Sequence, residues 1–177
     1  MTTSAHPASH ETVRIVTTGG TIDKFYSSRG EMEIGEPAVA ELLAIGNNAV
    51  DVVIESVIAK DSLDFDDADR QRIVDAVRTA HERCVVITHG TDTLTRTASL
   101  LDVAELGGKT VILIGAMQPA AMKESDAAFN LGAGLMAAQL APAGVWIAMN
   151  GRLLPAQGTI KDRSVGRFVV NDGPVEA

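Results

Sequence analysis

A chain of 177 residues, 46% hydrophobic and 21% charged, can form one globular domain that buries roughly 70% of its unfolded surface, which argues against disordered and fibrous classes. The net charge of −8 and the lack of any basic run argue against nucleic acid or an anionic membrane surface as partner, and leave room for a small charged or zwitterionic substrate. The single cysteine, Cys84, excludes an intrachain disulfide, points to a reducing cytoplasmic setting, and is itself read as a small core residue.

Residues 1–12, rich in Ser, Thr, Ala and His and without an apolar centre, read as a disordered tail and not as a secretory signal. The β-branched run 13–16 is too short for a helix and reads as a buried strand emptying into Thr17-Thr18-Gly19-Gly20-Thr21. Residues 25–35 form a loop around the one tyrosine, Tyr26, and 36–46 a short helix with Val39, Leu42 and Leu43 inward and Gly46 as its stop. The second strand is 52–58. The stretch 66–83 places Ile73, Val74, Val77 and Ala80 on one helical face, with carboxylates in the first turn, where the helix dipole favours them. A third strand, 85–88, leads into Thr88-His89-Gly90-Thr91-Asp92-Thr93. Helix 95–106, strand 110–114, helix 126–140 and strand 145–149 follow, with 168–170 as a last strand. This alternation implies a doubly wound α/β domain over 13–177, its sheet mainly parallel with helices on both faces. Ligand sites in such sheets lie at the carboxyl ends of strands, where both threonine segments fall.

The segment 127–151 contains no charged residue. Asn130, Gln139, Pro142 and four glycines interrupt it, so it lacks the roughly 20 apolar residues of a membrane span. A helix uncharged all round is instead buried on two sides, and a second subunit would supply one of them. The expectation is a homo-oligomer, a dimer or tetramer.

A threonine hydroxyl is a poor nucleophile until a neighbouring base or cation helps remove its proton. Each threonine segment alone reads as a turn whose hydroxyls cap backbone groups. Two such segments on one sheet edge, with Asp92 beside Thr91 and Gly20 and Gly90 letting a substrate approach the backbone, suggest covalent amide chemistry.

The segments 18–22, His89-Gly90-Thr91-Asp92-Thr93, Gly115-Ala116-Met117-Gln118-Pro119 and Phe129-Asn130-Leu131 together resemble the bacterial-type L-asparaginases and glutaminase-asparaginases. The resemblance runs from Val13 onward and matches that family's larger, N-terminal domain, so its smaller C-terminal domain, which lends residues to a neighbouring subunit's site, is expected to be absent. It implies Thr21 as the nucleophile, attacking a side-chain amide carbon to release ammonia and leave an acyl-enzyme, and Thr91, Asp92 and a lysine as a second catalytic group. In the family the lysine follows an Asn after the fifth strand by eleven residues, and Lys161 stands at that distance from Asn150. A lysine there could deprotonate Thr91 or polarise it for proton transfer. Ser62 resembles the binder of the substrate α-carboxylate, although Leu63 stands where a polar residue often follows. Asp92 resembles the binder of the α-amino group, and Ala116 matches a position whose backbone carbonyl contacts the substrate amide. Tyr26 matches a lid tyrosine that closes over the substrate, or is a buried loop aromatic; the polar residues around it favour a mobile loop.

Other motifs fail on inspection. Gly108-Lys109-Thr110 imitates the end of a phosphate loop but precedes a strand and lacks the earlier glycine, so it reads as a helix stop. Asp64, Asp66, Asp67 and Asp69 lack a calcium loop's glycine and read as helix capping. The histidines show no metal spacing, and His89 reads as structural.

The expected activity is metal-free and cofactor-free hydrolysis of L-asparagine to L-aspartate and ammonia, with backbone amides near Thr21 or Thr91 stabilising the oxyanion by about 3 kcal/mol per donor. The alternatives are a glutaminase, the amidase of a transamidating complex, or a non-catalytic domain that binds asparagine or aspartate.

Overall fold

A computed structural model describes residues 11–171; all but Glu11 and Thr12 of the expected tail lies outside the described residues. β1 (Val13–Gly19) runs through a 3-10 turn (Thr21–Asp23) into a small hairpin, β2 (Lys24–Tyr26) and β3 (Met32–Ile34). Then come α1 (Val39–Ile45), β4 (Val52–Lys60), a second 3-10 turn (Ser62–Asp64), α2 (Asp67–Thr79), β5 (Cys84–Thr88) and α3 (Leu94–Asp102). β6 (Thr110–Ile114), α4 (Ala127–Leu140), β7 (Gly144–Met149), β8 (Arg152–Pro155) and a second hairpin, β9 (Thr159–Asp162) and β10 (Arg167–Val170), complete the described chain.

The central sheet has the order β4-β1-β5-β6-β7-β8, parallel throughout except for β8, which runs antiparallel to β7. Alternate strand residues feed two cores, as a period of two requires. Val85, Ile87, Val111 and Leu113 pack with Ile73 and Val77 of α2 and Leu94 and Leu101 of α3. Val13, Ile15, Val86, Ile112 and Ile114 pack with Leu42 of α1 and Leu131 and Leu135 of α4. Every residue of β5 and β6 is buried, so both strands are unbroken apolar or β-branched runs. Each fully buried Val, Leu or Ile contributes about 1.5–3 kcal/mol over an exposed one.

The α/β, mainly parallel architecture is the one the sequence predicts. Four local expectations are corrected. The 66–83 helix starts on an Asp66–Asp69 capping box but ends at Thr79, because Ala80 turns extended and Lys109 Nζ takes the carbonyls of Ala80 and Glu82 at 2.6 and 3.1 Å. α3 ends at Asp102, so Gly108, with φ +72°, shapes a turn before β6 and is not a helix stop. The last strand exists as β10 but pairs with β9, outside the central sheet. Residues 25–35 are not an open loop: β2 and β3 pair, with Phe25 opposite Glu33 and Tyr26 opposite Met32.

α4 presses its inner side on the sheet, where Gly134 admits Ile114; a Cβ there would lie 2.7 Å from the Ile114 side chain. Its outer side exposes Phe129, Met136 and Leu140. Among the described residues no helix is long and apolar enough to cross a membrane.

Candidate active site

The candidate residues reach one edge of the sheet because each follows the carboxyl end of a parallel strand: Thr21 after β1, Ser62 after β4, Thr91 and Asp92 after β5, Ala116 after β6. Glycines let these loops touch. Gly20 has φ +84°, and a Cβ on it would lie 2.5 Å from the Gly90 Cα. A Cβ on Gly90 would lie 2.5 Å from Ser62 Oγ and 2.7 Å from Ser62 Cβ. Only hydrogen fits at both places, and the three segments stack as Gly20, Gly90, Ser62. Thr18 Oγ1 donates to the Thr88 carbonyl at 2.7 Å and locks β1 to β5 where their loops begin.

The Thr91 group is assembled by side chains. Lys161 Nζ donates to Thr91 Oγ1 at 2.8 Å and to Asp92 Oδ1 at 3.0 Å. Arg163 Nη2 lies 3.0 Å from the same Asp92 oxygen. Thr91 is buried, and the Lys161 side chain nearly so. The spacing from Asn150 has a structural basis. Asn150 takes a left-handed turn, φ 55°, and its Oδ1 accepts the Phe168 N–H at 3.0 Å. This ties the β7–β8 turn to β10, and Phe168, buried and opposite Lys161 in the hairpin, holds β9 in register.

Thr21 differs. It is half-buried in the first 3-10 turn, and among the described residues nothing bonds its hydroxyl. Asp23, next along, is buried; its Oδ1 accepts the Ala38 N–H at 2.9 Å, and its carbonyl accepts Gly35 N–H at 2.8 Å. Burial pushes the Asp23 carboxyl up to about 6. Lys24 pairs with Asp61, tying the β2–β3 hairpin to the segment that carries Ser62. Tyr26 is 70% exposed on that hairpin, which overturns the buried-aromatic alternative; its hydroxyl sits next to Gly30.

Ser62 is buried, and its Oγ has no hydrogen-bond partner among the described residues. Thr93 Oγ1 donates to the Ser62 carbonyl at 2.9 Å, and Arg70 Nη1 donates to Phe65 O at 2.9 Å, fixing both ends of the second turn. Leu63 is exposed. The loop carrying Ala116 hangs on α4: Asn130 Nδ2 donates to Gly115 O at 3.0 Å, and Asp126 Oδ1 accepts the N–H groups of Met117 and Gln118 at 2.9 and 3.1 Å. His89 is fully buried, and that burial pushes its pKa down to about 4. The neutral ring donates from Nδ1 to Gly90 O and accepts from Thr97 Oγ1 at Nε2, each at 2.8 Å, so it positions Gly90.

Sequence reasoning misses Arg163, Asp126 and Arg70. Arg163 has a signal only in its nearness to Lys161, two residues earlier, since β9 ends at Asp162 and Arg163 opens the following turn. Asp126 and Arg70 have none, because bonds to distant backbone groups leave no local pattern.

These features define a class: a doubly wound α/β domain with two threonine loops and a lysine-carboxylate pair at the carboxyl edge of its sheet. The chain belongs to the asparaginase family, whose model described as Asparaginase, N-terminal, matches residues 12–172. It is 32% identical to L-asparaginase 2 of Escherichia coli (strain K12), in an alignment covering 92% of this chain and 51% of that protein. It is 30% identical to a glutamyl-tRNA(Gln) amidotransferase component of Methanococcus vannielii, over 80% of this chain and 34% of that one. The solved L-asparaginase I of Vibrio cholerae superposes with a TM-score of 0.83 at 28% identity, covering 93% of this chain and 52% of that structure. The chain thus spans about half the length of the asparaginases it matches.

Proposed function

We propose that this domain houses an amidohydrolase site that converts L-asparagine and water to L-aspartate and ammonia through a threonine acyl-enzyme. The contact of Lys161 Nζ with both Thr91 Oγ1 and Asp92 Oδ1 carries the reading, because a solvated loop lysine has no reason to be held between a buried hydroxyl and a carboxylate. Thr21 Oγ attacks the side-chain amide carbon. The C–O bond forms, the C–N bond breaks, and the hydroxyl proton leaves with ammonia. Water then cleaves the ester and restores Thr21. Lys161 polarises the Thr91 hydroxyl, which relays protons in these steps. Ser62, whose buried Oγ is unpartnered among the described residues, and Asp92 anchor the two ends of the substrate, with Gly20, Gly90 and the Ala116 carbonyl lining it. Tyr26, on its exposed hairpin, covers the bound substrate. No step requires a metal or cofactor.

The relative that belongs to an amidotransferase supports a second reading, in which the same chemistry releases ammonia from another amide for transfer. Measuring ammonia release from asparagine and glutamine side by side tests both: turnover of asparagine supports the first, a glutamine-only activity the second. Neither substrate yielding ammonia would remove the amidohydrolase reading. The uncovered apolar side of α4 supports a homo-oligomer, and light scattering showing only an 18.6 kDa particle would remove that part.

A further inference from the structure

We infer that Arg70, buried beneath the site, is a positioning residue that fixes the spacing between the two substrate anchors, Ser62 and Asp92. The inference rests on the amidohydrolase reading of the same site. Arg70 lies in α2 and is only 2% exposed. Its Nη1 donates to the carbonyls of Phe65 and Asp66, at 2.9 and 3.1 Å, behind the turn that begins at Ser62. Its Nη2 reaches Thr93 Oγ1 at 3.4 Å, and that hydroxyl donates to the Ser62 carbonyl at 2.9 Å. Thr93 directly follows Asp92, so one planar group spans the segment that carries Ser62 and the segment that carries Asp92. A second path runs through Phe65. The guanidinium carbon lies 5.8 Å from the centre of that ring, and the ring meets His89 edge-on with 5.1 Å between ring centres. His89 in turn holds the Gly90 carbonyl.

Stability alone does not account for an arginine here. A buried cation is favourable only with a counter-charge, and a buried donor only with an acceptor. Among the described residues Arg70 bonds neutral oxygens and no carboxylate, and its Nε has no hydrogen-bond partner. Asp66, Asp67 and Asp69 face it at longer range from the start of α2, and Arg96 opposes them. Each of these acids is engaged elsewhere: Asp69 with Lys60 at 2.8 Å and Arg72 at 3.8 Å, Asp67 with Arg96 at 3.2 Å, and Asp66 with the Asp69 N–H at 2.8 Å. A methionine would occupy similar space with no charge and no orphaned donor. What the guanidinium adds is a rigid fork of contacts across two loops. Thr93, although the N-cap of α3, makes no side-chain cap bond, which leaves its hydroxyl for this link.

The test measures KM and kcat for L-asparagine, and the urea midpoint, on the full chain. Arg70→Met is expected to raise KM roughly tenfold, with kcat changed by less than about threefold and a midpoint close to the parent's. Arg70→Lys keeps the charge but not the fork, and is expected to raise KM less, by about threefold. Thr93→Val cuts the same path, so it should raise KM as well, and the double variant should be no worse than the worse single one. A parent-like KM in Arg70→Met or Thr93→Val, a loss confined to kcat, or a double variant whose KM multiplies the two single effects overturns the positioning role and leaves the amidohydrolase reading standing. Where Arg70→Met does not fold, a parent-like KM in Arg70→Lys overturns it equally. No ammonia from the parent chain overturns both.

Discussion

The two threonine loops leave neighbouring parallel strands, β1 and β5, yet one hydroxyl is tied down and the other is left free. Thr91 is buried and held by Lys161, with Asp92 and Arg163 completing the cluster. Thr21 is half-buried beside a hairpin, and among the described residues no group bonds its hydroxyl. A group that moves protons gains from fixed geometry, because the distance to its partners decides the rate. A nucleophile must instead keep its hydrogen-bonding capacity for the substrate. The contrast fits a division of labour within one sheet edge.

Removing the free hydroxyl should have the largest effect on turnover and almost none on the fold. Thr21→Ala is expected to cut ammonia release by roughly a thousandfold or more, with a urea midpoint close to the parent's. Lys161→Met breaks the tied-down side and should lower kcat by roughly a hundredfold or more. If Lys161→Met turned over normally, the contact with Thr91 would be structural only.

Gly90→Ala attacks the place where the Thr91 loop touches the turn that carries Ser62. Its Cβ would meet Ser62 at 2.5 Å, so stability should fall by about 1–3 kcal/mol and activity by roughly tenfold or more. Denaturant unfolding and steady-state kinetics on the same preparation check both.

The remaining effect lies in pH dependence, which also separates the two loops. The Asp23 carboxyl is raised from 3.8 to about 6, so its contribution is present below pH 3.8 and is lost as pH rises through 6. The His89 imidazole is lowered from 6.5 to about 4, so its contribution is present above pH 6.5 and is lost as pH falls through 4. In the shared window the two slopes oppose each other. Asp23→Asn keeps an acceptor for Ala38 but removes one slope, so its stability should climb from pH 4 to 6.5 more steeply than the parent's, by at most about 3 kcal/mol. A parallel pair of stability curves would show that Asp23 does not titrate in this range.

The same contrast explains what is legible in the sequence. β5, β6 and most of β7 are readable because strands of a parallel sheet buried on both faces need unbroken apolar or β-branched runs, and β1 is readable in spite of Arg14, which pairs with Glu55 and Glu82. The glycine-threonine loops are readable because close backbone approach demands glycine. The short hairpins are not: Lys24–Tyr26 and Thr159–Asp162 mix polar and apolar residues, and their pairing partners decide their structure. The helix expected over 66–83 comes out too long because no glycine or proline marks its end at Thr79, and the carbonyls beyond it are taken by Lys109, distant in sequence. Lys161 is found only through its register from Asn150, and the left-handed turn that makes that register meaningful is invisible before folding. The exposure of Tyr26 and the burial of Asp23 likewise depend on where the hairpin lies.

The division of labour is tested most directly by quenching the reaction with acid during turnover of L-asparagine and mapping the peptides by mass spectrometry. The account predicts an aspartyl acyl group on the peptide that carries Thr21, absent in Thr21→Ala. An acyl group on Thr91, with Thr21 unmodified, would contradict it.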